Sequence, residues 1–403
     1  RGTLPNRRHY WWKIGPTTRH CALARGPMAR VMNFGAGPGT LPLAALERAQ
    51  GDLLDFDGTG MGICEHSHRG KAYSALHAET KALLTSLLGL DESWEMLLLQ
   101  GGASAQFAQI PMNFLGPEAR ADYVLTGTWG EHALAEARRM VGGRARVAGT
   151  SGTGPGAATH NGAGYNRVVR PEEVTVDPGA SYVHCTSNET VHGVQFGHEP
   201  GRWFDAGSVP VVCDVSSDFL AAPTDLAPFS LVYAGAQKNL GPSGLVVVLV
   251  RKEFLARAMT NLPNIFSYAV QAKNDSLYNT PATLSVYLAR NVLAWVRDLG
   301  GLPAMEARNH GKATALYAAI DRAAEFYRAP VEKSSRSVMN AVFRLPTEAL
   351  ENAFVSAAEK EGMFGLKGHR SVGGIRVSMY NAVEPAWISA LAAFMDDFAR
   401  KAG

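Results

Sequence analysis

An α/β fold with a mainly parallel, mixed sheet, followed by a smaller α+β C-terminal domain, is predicted by three features of the sequence. Short apolar runs alternate with helix-like runs between residues 71 and 250. Those apolar runs are continuous, as in strands buried on both faces. After about residue 298 the alternation gives way to long helical runs separated by two strand-like ones.

The elements follow in order. Residues 1–27 hold six Arg or Lys and no acid, and the first acid of the chain is Glu47. An organelle-targeting segment would be Arg-rich and acid-poor. This one lacks serine and a clear amphipathic run, so it reads as a leader before Met28. "KAYSALHAETKALLTSLLGL" (71–90) places Tyr73, Leu76, Leu83, Leu84 and Leu87 on one helical face. "WEMLLLQ" (94–100) predicts a strand and "GGASAQFAQIPMNFL" a helix. "ADYVLTG" (121–127) predicts a second strand and "EHALAEARRM" a second helix. The Gly-rich stretch 149–166 reads as a loop inside the large domain, which spans 28–298. Strands follow in "SYVHCTS" (181–187), "VPVVCDVSS" (209–217), "SLVYAGA" (230–236) and "GLVVVLV" (244–250). The small domain, 299–403, holds "NHGKATALYAAIDRAAEFY" and "EALENAFVSAAEKEG" as helices. "SVMNAVFRLP" and "GGIRVSMYN" are its strands, and "EPAWISALAAFMDDFARK" is its final helix.

Composition excludes several classes. A net charge of +3 over 403 residues does not argue for nucleic acid. No apolar run approaches the ~20 residues of a membrane span. The four cysteines lack CxxC or zinc spacing, which suits a reducing compartment and gives no structural metal. "HSH" (66–68) has no third ligand at suitable spacing, so no metal site is expected. "GAGPG" (35–39) has neither the preceding strand nor the following acid of a dinucleotide loop.

The chemistry concentrates at strand ends, where open α/β sheets bind ligands. Lys238 follows the run 230–236 and precedes the turn "NLGPSG"; Asp214 ends "VPVVCD" 24 positions earlier. That separation allows one crossover and one further strand, so the two can occupy neighbouring strand ends. Alone, Lys238 is as readily a surface residue, and Asp214 a helix cap. Together they match the two fixed needs of pyridoxal phosphate: an amine for a Schiff base and a carboxylate for the pyridinium nitrogen. "QGGASAQF" (100–107) supplies glycines and a helix start with Ser104, a place for a phosphate. Trp129, in what reads as a loop, could stack on a ring or pack in the core.

These residues, with "NFGAGP" (33–38), "HSHRGKAY" (66–73), "TWG", "SNET" (187–190), "CDVSSD" (213–218), "YAGAQKNLGPSG" (233–244), "YNTPAT" (278–283) and "KGHRSVGGIRVSMYNA" (367–382), resemble the phosphoserine aminotransferase family. That family is fold-type I, class V and pyridoxal phosphate-dependent. The resemblance implies that Lys238 bonds the cofactor, Asp214 pairs with its ring nitrogen and Trp129 stacks on it. Ala103, Ser104, Thr190 and Gln237 would hold its phosphate or ring substituents. Asn279 and Thr280 would reach it from the other subunit of a homodimer. Arg69, His68, His369, Arg370 and Arg376 would hold the substrate anions. Several members carry an arginine where this chain has Ser104.

The implied reaction moves an amino group from L-glutamate to 3-phosphohydroxypyruvate, in the cytoplasm. A second acceptor, 3-hydroxy-2-oxo-4-phosphonooxybutanoate, is implied as well. Two other readings remain. A cysteine desulfurase needs a mobile nucleophilic cysteine, whereas Cys64, Cys185 and Cys213 lie in or beside compact segments. A catalytically silent binding protein would use Lys238 and Asp214 only as an ion pair, and would be colourless.

Overall fold

The computed structural model describes residues 30–152, 164–197 and 199–402. The basic segment 1–27 and most of the Gly-rich loop 149–166 lie outside the described residues. The first half of the chain runs β1 (Met32–Asn33), α1 (Leu43–Asp52), α2 (Lys71–Leu88), β2 (Trp94–Gly101), α3 (Ala103–Phe114), β3 (Ala121–Leu125), α4 (Thr128–Val141) and β4 (Ala145–Thr150). Next come β5 (Val183–Thr186), the short hairpin β6 (Asn188–Glu189) and β7 (Val194–Gln195), β8 (Val211–Asp214), β9 (Leu231–Gly235) and β10 (Gly244–Arg251). Helices α5 (Lys252–Leu255), α6 (Tyr268–Lys273), α7 (Thr283–Asp298) and α8 (Gly301–Arg322) follow. The chain closes with β11 (Asn340–Phe343), α9 (Glu348–Lys360), β12 (Met363–Phe364), β13 (Ile375–Ser378) and α10 (Pro385–Ala402).

Seven strands form the main sheet in the order β2-β10-β9-β8-β5-β3-β4. Strands β9, β8, β5, β3 and β4 are parallel. β10 is antiparallel to both neighbours, β2 and β9, which makes the sheet mixed. The continuous apolar runs are explained by cover on both faces. On one face Val247, Leu249, Val232 and Cys213 pack with Val286, Ala289 and Leu293 of α7. On the other, Val246, Val248, Leu231 and Tyr233 pack with Phe107 and Ile110 of α3 and Leu134 of α4. Each such fully buried side chain contributes about 1.5–3 kcal/mol, so β10 is fixed from both sides. Tyr73, Leu76, Leu83 and Leu84 of α2 are buried as their spacing predicts.

A separate core lies after α7. Leu316 and Ile320 of α8 pack with Ala341 and Phe343 of β11, Phe354 of α9, and Ile388, Leu391 and Met395 of α10. β11 and β13 pair antiparallel. Phe34 joins this core, and β1 pairs in parallel with β12. The first described strand is thus completed by one near the other end of the chain.

Four local readings need correction. "GAGPG" (35–39) does follow a strand, β1, hidden in the sequence because it is two residues long and its partner β12 lies more than 300 positions away. β4 lies within a stretch given no strand: it is a sheet edge, and its Arg146 turns outward to pair with the buried Asp122 at 2.7 Å. Trp129 sits in the first turn of α4 rather than in a loop. Cys64 is exposed, whereas Cys185 and Cys213 are the buried small side chains expected, opposite each other on β5 and β8. No described helix is long and apolar enough to cross a membrane.

Candidate active site

β8 and β9 are neighbours in parallel register, so Asp214 lies beside Tyr233 near the end of β9. Beyond Gly235 the chain doubles back in a turn closed by Ala236 N–H on the Leu245 carbonyl (2.9 Å) and Gly241 N–H on the Ala236 carbonyl (2.8 Å). Lys238 rides on that turn and is 9% exposed. Its Nζ donates to Thr190 Oγ1 at 2.7 Å and stands 5.7 Å from the centroid of the Trp129 ring. Burial pushes the Lys238 amine below its ordinary pKa, and the fields of Asp214, Glu189 and Asp218 oppose the shift. Burial likewise raises the Asp214 carboxyl, against the pull of Lys238. Burial thus disfavours the charged form of each group, and the opposite charge of the other counters it. Asp214 also accepts the Ser216 N–H at 2.9 Å, which closes the turn after β8; no helix starts there among the described residues, so it is not the helix cap considered above.

A second group of atoms converges near the Lys238 turn. β2 ends in Gly101, and α3 starts at Ala103. A Cβ placed on Gly235 would stand 2.8 Å from Gln237 Oε1 and 3.3 Å from the Ala103 nitrogen. The missing side chain keeps open the space where the Gln237 amide and the Ala103 amide nitrogen meet. That space adjoins the positive end of a 12-residue helix, with exposed Ser104 in its first turn. This donor set, with an amine and a carboxylate at the adjoining strand ends, fits a pyridine ring bearing a phosphate. The Trp129 ring contributes an apolar wall, supported by Phe107 at 6.5 Å and His132 edge-on at 5.5 Å.

Arg376 projects from β13 and is half-buried; its buried Nε has no hydrogen-bond partner among the described residues. Its field reaches both Lys238 and His369. Burial, then Arg376, Arg370 and His132, lower the pKa of His369, whose Nδ1 bonds Ser371 Oγ at 2.7 Å. Arg370 is exposed. His68 has a buried Nε2 without a partner among the described residues. Arg69 is exposed, and its guanidinium makes no hydrogen bond or ion pair among them. Among the described residues, neither shares a hydrogen bond, ion pair or ring contact with the Lys238 group. The same holds for Asn279 and Thr280, which sit between α6 and α7. Asn279 Nδ2 donates to Gln100 Oε1 at 3.2 Å, and the Thr280 carbonyl accepts from Gln100 Nε2.

Three residues without an expected role belong to the site. Glu189 accepts the N–H groups of Trp129 and Gly130. His192 is buried, bonds Thr128 Oγ1 at 3.0 Å, and has its pKa pushed down to about 4 by burial and by His369. Tyr380 donates to the Ala36 carbonyl at 2.7 Å, and Gly39 N–H binds the Gln237 carbonyl at 2.7 Å. The segment after β1 is thereby laid against the Lys238 turn. All three lie in or beside motifs that were legible, but only their contacts show what they do.

Comparison with known proteins agrees with this geometry. The class-V aminotransferase family profile matches residues 31–391. The phosphoserine aminotransferase of Niallia circulans is 48% identical over 374 residues, covering 93% of this chain and 99% of that protein. That of Herpetosiphon aurantiacus is 46% identical over 373 residues, with the same coverage. Among solved structures, the phosphoserine aminotransferase from Bacillus circulans subsp. alkalophilus superposes with a TM-score of 0.86, at 48% identity, over 93% of this chain and 99% of that one. The enzyme from Trichomonas vaginalis with PLP bound gives 0.84 at 35% identity, over 91% and 100%.

Proposed function

The chain belongs to the class V aminotransferases, and within them to the phosphoserine aminotransferases; from that premise we propose that Lys238, Asp214, Trp129 and the turn entering α3 form its catalytic centre. The protein is a pyridoxal phosphate-dependent transaminase. It transfers the amino group of L-glutamate to 3-phosphohydroxypyruvate, giving O-phospho-L-serine and 2-oxoglutarate. The observation that carries the site is the buried Lys238 amine beside Asp214 at adjoining strand ends.

When bound, pyridoxal phosphate supplies an electron sink for negative charge at the substrate α-carbon. The protein does the rest. Asp214 would hold the ring nitrogen, and Trp129 would cover one ring face. Thr190 and Gln237 would hold ring substituents or phosphate, with Ala103 and Ser104 at the head of α3. Lys238 Nζ would take the α-carbon proton of glutamate in one half-reaction and deliver a proton to the α-carbon of the nascent phosphoserine in the other. Burial favours the neutral amine that this step needs. Arg376 would fork onto the α-carboxylate, which its planar guanidinium suits. Arg69, Arg370, His68 and His369 would hold the substrate phosphate, and the γ-carboxylate of glutamate in the other half-reaction.

Coupled assays with glutamate and each phosphorylated keto acid test the function. They also decide whether 3-hydroxy-2-oxo-4-phosphonooxybutanoate is a second acceptor. In Arg69→Ala, the preference for a phosphorylated over an unphosphorylated keto acid should fall about tenfold or more. Arg69 is exposed within one chain, so the expected loss lies near ~1.4 kcal/mol, below the ~2–5 kcal/mol of a fully buried charge pair. An unchanged preference removes Arg69 from the phosphate site.

The proposed assembly is a homodimer with shared sites. In support, Ile265, Phe266 and Tyr278 are exposed around the Asn279 loop. A cavity of about 370 Å³ opens there, lined by Leu98, Gln100, Met112, Phe266 and Asn279. After subunit exchange, Lys238→Ala mixed with Asn279→Ala should regain activity, because one of the two sites in each mixed dimer carries neither change. No gain over the separate variants would place Asn279 outside the partner's site. We further divide the chain into 28–298 and 299–403, a boundary that falls between α7 and α8. The cytoplasm is the proposed compartment: the described cysteines are free thiols, two of them facing each other. Recovery in another cell fraction would refute this.

A further inference from the structure

Helix α4 starts without a cap of its own. Its N-cap residue is Gly127, which has no side chain to accept the first N–H groups. The acceptor comes from 60 residues away. Glu189 Oε2 takes the Trp129 N–H at 3.1 Å, and Oε1 takes the Gly130 N–H at 3.0 Å. The carboxylate lies at the positive end of the helix and is 0% exposed. A Cβ on residue 127 would come within 2.4 Å of Glu189 Cδ, so the approach depends on glycine there.

The next residue, Thr190, accepts from Lys238 Nζ at 2.7 Å. Two successive side chains thus hold the two parts of the site: one the helix start that bears the aromatic wall, the other the amine. This dipeptide is itself rigidly placed. The Glu189 carbonyl accepts from Gly193 N–H at 2.8 Å, and β6 pairs with β7. Before it, Asn188 Nδ2 donates to Ser217 Oγ and Asn340 Oδ1, both at 2.8 Å. A surface residue could cap α4 at less cost than a buried carboxylate, which pays for desolvation. Burial raises the pKa of Glu189 to about 7, against the two amide bonds and Lys238. A carboxylate kept there at that cost is explained by what its position fixes.

We propose that Glu189 is a positioning residue for the reaction: by capping α4 it sets the Trp129 ring at its distance from Lys238, and so fixes the aromatic wall against which the cofactor would lie. The inference rests on the reading that Trp129 faces the cofactor.

The test is a double-mutant cycle on the holoenzyme, read by the dissociation constant for pyridoxal phosphate and by the visible circular dichroism of the bound cofactor. Glu189→Ala should weaken cofactor binding about tenfold, the scale of a lost helix cap, and reduce the dichroism. Trp129→Ala should do the same. The double variant should lose no more than the larger single loss, because Glu189 acts through Trp129. Glu189→Gln keeps one acceptor and should fall between wild type and Glu189→Ala. Losses that add, or full affinity and dichroism in Glu189→Ala, overturn the proposal. If Glu189→Ala does not fold, Glu189→Gln decides: a lower melting temperature with unchanged affinity and dichroism shows a purely structural cap. Wild-type cofactor binding in Trp129→Ala instead refutes the reading of the ring as the cofactor's wall, and this inference with it.

Discussion

Lys238→Ala should fold, bind pyridoxal phosphate weakly, lack the visible absorbance of the lysine–cofactor bond, and turn over more than about 10³-fold more slowly. Two contributions are lost together. One is covalent capture by a buried amine; the other is proton transfer at the α-carbon, worth roughly 10²–10⁴-fold by itself. Among the described residues Lys238 has one side-chain hydrogen bond, to Thr190 Oγ1, and its removal leaves a hydroxyl that can turn to another partner. The fold should therefore survive, and circular dichroism in the far ultraviolet should match wild type. Substantial turnover in this variant would remove Lys238 from the chemistry.

Asp214→Asn is the second large effect. The amide can still accept the Ser216 N–H, so the turn after β8 should keep its shape. What disappears is a negative charge in a fully buried setting next to Lys238. A neutral partner cannot hold the ring nitrogen protonated. Turnover should fall by about 10²–10³-fold, the range for removing one preorganised electrostatic group, while the cofactor stays bound. Stopped-flow measurement of each half-reaction separates this from weakened binding. Wild-type turnover would mean that Asp214 serves only as the cap of its turn.

The strands of the sheet were legible because helices cover both faces, and double cover demands unbroken apolar runs such as Leu245–Val250. The edge strand β4 lacks that demand on its outer side, so its Arg146 and Gly149 disguise it. Asp214 and Lys238 could be paired from spacing alone, since adjacent parallel strands bring their ends together. Glu189 could not. Its partners are backbone N–H groups of Trp129 and Gly130, and a backbone donor leaves no mark in residue types. The same blindness put Trp129 in a loop: Gly127 offers no cap signal, because the cap belongs to another segment. The contacts of Asn279 and Arg69 were not legible either, as their neighbours are set by loops rather than by periodic elements.

The parallel pairing of β1 with β12 has a consequence for how the molecule is made. A ribosome releases Met32 and Asn33 long before Met363 and Phe364, and Ala36 long before the Tyr380 hydroxyl that binds its carbonyl. The seven-stranded sheet needs neither, since all its strands lie between Trp94 and Arg251, so it can form while synthesis continues. The early segment must wait as an unpaired edge through most of translation, a state that invites chaperones or neighbouring chains. Its docking brings Gly39 against the carbonyl of Gln237, the residue before Lys238. This late closure sets Gly39 against the Lys238 turn of the proposed catalytic centre, and a polypeptide cut short before Tyr380 can hold a folded sheet yet lack that contact's anchor.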